Sequence, residues 1–323
     1  MEKQSIFNGN VVELHYWFDD DTHTMDAYVF TKASQEFLGI AKEFSNKLGV
    51  ELTIEICPLR EGGLISWFKF NTKKHPFLTA FLIYSITEVL YTPITTTLQE
   101  LTKQGIEYIT TDSKLRELVS EKKKVDLELE IAQKKLELEK ISKKLDENKI
   151  QKKRSNFYEA LDACPKIERL SVSVLSKDAK ALISSKTINK ANFKEYILAT
   201  DEIEPDVDEH AIIDIISPVL KKGKYKWTGI YNNTPITFSM QSSEFKTLVQ
   251  TGQIEFRNGS RIDCRLIINR AITEEGETII KGYCVELVHQ YISGNKYVET
   301  NEGIVNRKKK DADSRQLNLF DTL

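Results

Sequence analysis

The sequence predicts an α+β protein: a small N-terminal α/β sandwich-like domain, a long central coiled-coil helix, and a C-terminal antiparallel β-rich domain rolled into a partial barrel. Three observations carry that expectation. Residues 106–164 contain neither Gly nor Pro, and 114–154 consist almost wholly of strong helix formers. Before this run, apolar/polar alternation at residues 11–18 and 50–57 brackets one amphipathic helical stretch. After it, short β-branched segments recur with turn residues between them. The expected divisions are 1–105, 106–155, 156–293 and a flexible tail at 294–323.

In chain order, residues 11–18 (VVELHYWF) read as a half-buried strand. A helix follows to about Lys47, burying Phe30, Phe37, Leu38, Ala41, Phe44 and Leu48 and stopped by Gly49. A second strand ends at Cys57, and Gly62-Gly63 turns the chain into LISWFKF. At the first strand-to-helix junction lie Asp19, Asp20, Asp21, His23 and Asp26. Carboxylates and an imidazole gathered there suit a divalent metal, with Asp19, Asp21, His23 and Asp26 as candidates. Asp and Thr before a helix also cap its free N–H groups, and the sequence favours capping.

Residues 76–98 (PFLTAFLIYSITEVLYTPITTTL) form the most apolar run, at about the length that crosses a bilayer. Glu88 and Pro93 interrupt it, so a buried core helix is the favoured reading. Membrane insertion of an oligomer is the alternative.

In the long helix, Leu115, Leu118, Val125, Leu129, Ala132 and Leu136 alternate at spacings of three and four, apart from Lys122. A second frame runs through Leu127, Ile131, Leu138, Ile141 and Leu145. Two frames make a wide seam with a stutter. The seam predicts a homo-oligomer, and the alternative is one long helix packed along its own domains.

Beyond it, residues 166–176 read as a strand, 192–198 as a short helix, and 201–210 (DEIEPDVDEH) as an acidic loop. Strands follow at 211–220, 225–231 and 235–240, then a Ser-capped helix at 243–249. The Asn258-Gly259 turn and the Glu274-Glu275-Gly276 turn bound an antiparallel pair at 261–272 and 278–291. Lys226 and Trp227, with Arg257 and Arg261, interleave an aromatic and basic groups in a way that suits nucleic acid. Arginines on the solvent side of strands also occur with no ligand.

Charge is nearly balanced, with 46 Lys and Arg against 48 Asp and Glu, so nothing global favours DNA or an acidic membrane. Four scattered cysteines and a polar start fit a cytoplasmic protein with reduced thiols and no cleaved signal. Phosphate-binding glycine loops, the zincin helix and the nucleophile elbow are all missing from the sequence. The five histidines, at 15, 23, 75, 210 and 289, follow no motif. No cofactor is expected. A metal-dependent nuclease is the residual enzymatic reading, and a non-catalytic interaction protein the favoured one.

Two resemblances sharpen that reading. Gln316-Leu317-Asn318-Leu319-Phe320 resembles the bacterial sliding-clamp-binding pentapeptide, Gln-Leu-Ser/Asp-Leu-Phe, differing only at the tolerant middle position. The resemblance implies that Gln316 sets register while Leu317, Leu319 and Phe320 fill an apolar cleft on the clamp. More broadly, DTHTMDA, LREGG, ISPVLKKGKYKWTGIYNN and FRNGSRIDCRLIIN are similar to an uncharacterised family of bacterial proteins associated with anti-phage defence and mobile elements. That similarity carries over no catalytic residue.

Overall fold

The structure is a computed structural model of the 323-residue chain. It describes residues 5–20, 24–49, 51–57, 64–72, 76–111, 132–133, 135–140, 143–221, 223–293 and 296–320. The chain divides into two units, residues 1–199 with 274–277, and residues 200–273 with 278–323. The expected division at 155/156 is therefore corrected to 199/200, because two strands beyond residue 155 complete the first unit's sheet.

In the first unit, β1 (Gly9–Phe18) leads to α1 (Ala27–Leu48), then β2 (Leu52–Cys57) and β3 (Leu64–Thr72). Asp26 starts α1 by accepting from the backbone N–H of Tyr28 at 2.8 Å and of Val29 at 3.2 Å. Gly49, at φ +64°, ends it in the left-handed region that glycine adopts without strain. The alternation of β1 sends Val12, Leu14 and Tyr16 into the core, where Phe37, Ile40, Ala41 and Phe44 of α1 meet them. On the opposite face Val11, Trp67 and Leu175 form a small separate cluster. β4 (Ile167–Ser176) and β5 (Leu182–Asn189) finish an all-antiparallel sheet of order β2-β3-β1-β4-β5. Its first four strands have the split β-α-β connectivity of a ferredoxin-like sheet.

Between β3 and β4 lie α2 (Pro76–Tyr91), α3 (Leu98–Thr111), a helical stretch at 135–140, and α4 (Glu147–Asp162). α2 is apolar on every side and buried accordingly, through Phe81, Leu82, Ile83, Ile86 and Leu90. Glu88 at its margin meets Lys186 at 3.0 Å. The helix stops at Tyr91, short of the expected 98, and among the described residues no helix is long and apolar enough to cross a membrane.

The continuous coiled-coil helix over 106–155 is not found. Residues 143–145 turn, and Asp146 N-caps α4 by accepting from the Lys149 N–H at 3.1 Å. The longest described helix is the 22-residue α1. Of the expected seam, Leu138 is fully buried in the unit's own core, Leu145 packs against that core, and Leu136 is half exposed. Leu118, Val125, Leu129 and Ile141 lie outside the described residues. A capping aspartate inside a run of helix formers starts a new helix at Glu147, after a turn that propensity alone would not have placed there.

The second unit contains β6 (Glu202–Ser217), β7 (Trp227–Tyr231), β8 (Thr234–Met240), α5 (Ser243–Gln250), β9 (Arg261–Ile272), β10 (Thr278–Ser293), β11 (Lys296–Glu299) and α6 (Asn301–Phe320). β6, β7 and β8 form a meander, β8 pairs parallel with β10, and β9 joins β10 to β6 antiparallel. The ring closes. A five-stranded barrel with a helix between its third and fourth strands has OB-type connectivity. Ile213, Trp227, Phe238, Phe245, Leu266 and Val288 fill it.

Two expectations fail here. The acidic stretch 201–210 is mostly strand, since β6 begins at Glu202. The described part of the tail expected to be flexible at 294–323 forms the strand β11 and the helix α6 through Phe320.

Candidate functional site

The residues singled out by sequence mostly serve local structure. Asp26 caps α1, Asp20 pairs with Lys166 at 2.8 Å, and the Asp19 N–H donates to the Lys166 carbonyl. Asp21 and His23 lie outside the described residues. Trp227 is a core residue, 1% exposed, so it offers no stacking face. Arg257 pairs with Glu255 at 3.2 Å and Arg261 with Asp214 at 3.6 Å, and neighbouring carboxylates offset the charge meant for phosphates. Lys226 is exposed, in a loop with Lys221, Lys224 and Tyr225. The backbone of Gln316, Leu317, Leu319 and Phe320 continues α6.

A different constellation is built on the outer wall of the barrel, where β9 runs between β6 and β10. Ala211, Cys264 and Val288 are level with one another and face the interior. Beside this row both flanking strands bulge. Glu209 and His210 together stand opposite Arg265, and His289 is an extra residue between Val288 and Gln290. A bulge gives up regular pairing and re-aims a side chain, and here two bulges bring two imidazoles to one place.

His210, Asp263 and His289 each place one donor atom within 4.8 Å of the others. The imidazoles stack with centroids 4.7 Å apart. His210 Nδ1 lies 3.3 Å from Asp263 Oδ1, and Asp263 Oδ2 accepts from Gln290 Nε2 at 3.2 Å. His289 Nε2 donates to the Glu209 carbonyl at 2.7 Å. A carbonyl only accepts, so that contact puts the proton of neutral His289 on Nε2 and leaves the lone pair on Nδ1. Cys264 is no fourth donor. Its Sγ turns inward toward the Ala211 carbonyl, and burial pushes the thiol well above its ordinary range.

The root of α6 forms the other side of this cleft. Glu244 accepts from the backbone N–H groups of Asn301 and Glu302, each at 2.9 Å. Glu302 in turn accepts from the Val288 N–H at 3.0 Å and from the Ser242 hydroxyl. Gly303 sits so close to the bulge that a Cβ there would lie 2.2 Å from the His289 carbonyl oxygen. One turn on, Arg307 forks onto Glu299 at 2.9 and 3.0 Å, and Lys310 reaches Glu209 at 3.0 Å. These hydrogen bonds hold both carboxyls below their usual range. The cleft encloses about 380 Å³ and is lined also by Asn306 and Asp311.

The chain shows no significant similarity to the family profiles, curated proteins and solved structures compared with it. Sequence reasoning missed the cleft because its three donors stand on three strands with no short spacing among them. The only available signal was the pairing of 261–272 with 278–291, which brings Asp263 and His289 near one another but leaves His210 unplaced.

Proposed function

We propose that the protein is a non-catalytic bacterial interaction protein that docks on the DNA sliding clamp through residues 316–320. What supports this is the presentation of α6. Its first turn is tied to the barrel, whereas every residue from Arg307 to Asp313 is exposed, which covers more than a full turn of the helix. The pentapeptide forms the C-terminal end of this helix. Its last turn can unwind at small cost, because terminal helical turns fray readily.

Leu317, Leu319 and Phe320 entering a cleft contribute about 1.5–3 kcal/mol each. Ordering the peptide costs several kcal/mol in return, so the contact is micromolar. Calorimetry of the full chain with purified bacterial clamp is the test. L319A/F320A should abolish the heat, and N318S should keep or strengthen it. No heat with the native chain, and no competition with a clamp-binding peptide, rejects the reading.

The OB-type connectivity favours a second ligand, single-stranded nucleic acid, along the exposed loop carrying Lys221, Lys224, Tyr225 and Lys226. Fluorescence anisotropy with an oligonucleotide should show binding that weakens with salt and with K224E/K226E. Binding indifferent to both rejects this ligand site.

A further inference from the structure

We propose that His210, Asp263 and His289 form a binding site for one divalent transition-metal ion of the zinc class. The donor set selects the ion. Two imidazole nitrogens and one carboxylate oxygen suit Zn²⁺, Fe²⁺, Co²⁺ or Ni²⁺, whereas Ca²⁺ and Mg²⁺ take oxygen ligands. The distances suit it as well. Tetrahedral ligation at about 2.0–2.1 Å places donors roughly 3.4 Å apart. His210 Nδ1 and Asp263 Oδ1 are already at 3.3 Å, and all three donors lie within 4.8 Å. The side chain that must adjust is that of His210, which is 66% exposed and lies at the rim of the cluster.

The surroundings are those of a ligating set. His289 donates its second ring nitrogen to a backbone carbonyl, and Asp263 is oriented by Gln290; these are the outer contacts that hold metal ligands in place. Asp263 and His289 are each only 9% exposed, and both flanking strands bulge at this level. Three protein ligands leave a coordination position open toward the cleft under α6. Arg307 and Lys310 are answered there by Glu299 and Glu209, and Asp263 and Asp311 add negative charge, so the cleft admits a cation. The site is independent of the pentapeptide and of clamp docking.

The test uses the full chain, stripped with a chelator and titrated with Co²⁺ and then Zn²⁺. Expected is one Co²⁺ per chain, with the visible absorption of a four- or five-coordinate nitrogen/oxygen site, displaced by Zn²⁺. H210A removes an exposed side chain and leaves the barrel folded, as circular dichroism should confirm. It should weaken binding by more than about 100-fold, beyond the 10–100-fold typical of lost outer contacts. Q290A should fall within that smaller range. D26A should bind as the native chain does, which separates this site from the acidic cluster near α1. The proposal is overturned if no saturable one-to-one binding is seen, if H210A binds normally, or if D26A abolishes binding.

Discussion

At the scale of single residues, Asp26, Leu138 and Arg154 show how context decides a side chain's role. Asp26→Ala removes an N-cap that holds two backbone N–H groups, and should cost about 1 kcal/mol in urea unfolding. The cap was legible because its partners are two and three residues away. Leu138 was assigned to an intermolecular seam, yet it is fully buried in its own unit. Leu138→Lys should therefore unfold the first unit, with a loss of about 3 kcal/mol or more for a buried unpaired charge, without first splitting an oligomer. Light scattering and circular dichroism on one sample distinguish the two outcomes. Periodicity shows which residues share a helix face but does not identify what that face meets. Arg154 makes the same point. Its Nη1 donates to the Val89 and Thr92 carbonyls at 3.3 and 2.8 Å, and burial lowers its pKa to about 10. Nothing in the run of Lys and Arg showed that Lys152 and Arg154 are its buried members.

At the scale of an element, α6 is the clearest case. Its composition, NEGIVNRKKKDADSR, resembles a linker, and most of its surface is solvated, so hydrophobic patterning was silent. What holds it are Glu244 and Glu209 from far along the chain, together with Thr300 and Glu299 just before the helix. Gly303→Ala should force the helix root away from His289, seen as faster amide exchange along residues 301–313 with the barrel core unchanged. Acid should loosen the same element. Glu209 and Glu299 have folded-state pKa values below the ordinary 4.5, so their contribution is fully present above that pH. It is lost as pH falls through the depressed values. Protection factors in α6 should drop in that window, and E209Q/E299Q should remove the pH dependence. The strands were more legible than this helix, because period-two alternation is local. The bulges were not, because a register shift exists only between two strands.

At the scale of the whole molecule, the α+β class and the β-rich second half were readable, whereas the unit boundary was not. Strands β4 and β5 follow the charged helical region and look as though they open the next domain, but β4 pairs with the first strand of the chain and β5 with β4. That pairing has a consequence during synthesis. Phe18 faces Ile167, so about 150 residues separate partners along the β1–β4 ladder. At about 5–20 residues per second, β1 waits roughly 8–30 s on the ribosome for its second neighbour. Throughout that interval one edge of β1 is unpaired beside Val12, Leu14 and Tyr16, an invitation to wrong pairing. Stalled nascent chains ending before residue 167 should crosslink to a ribosome-associated chaperone, and chains long enough to expose β4 beyond the exit tunnel should release it. Expression of this protein is then set by elongation rate and chaperone supply, and slowed translation through residues 76–162 should lower its yield.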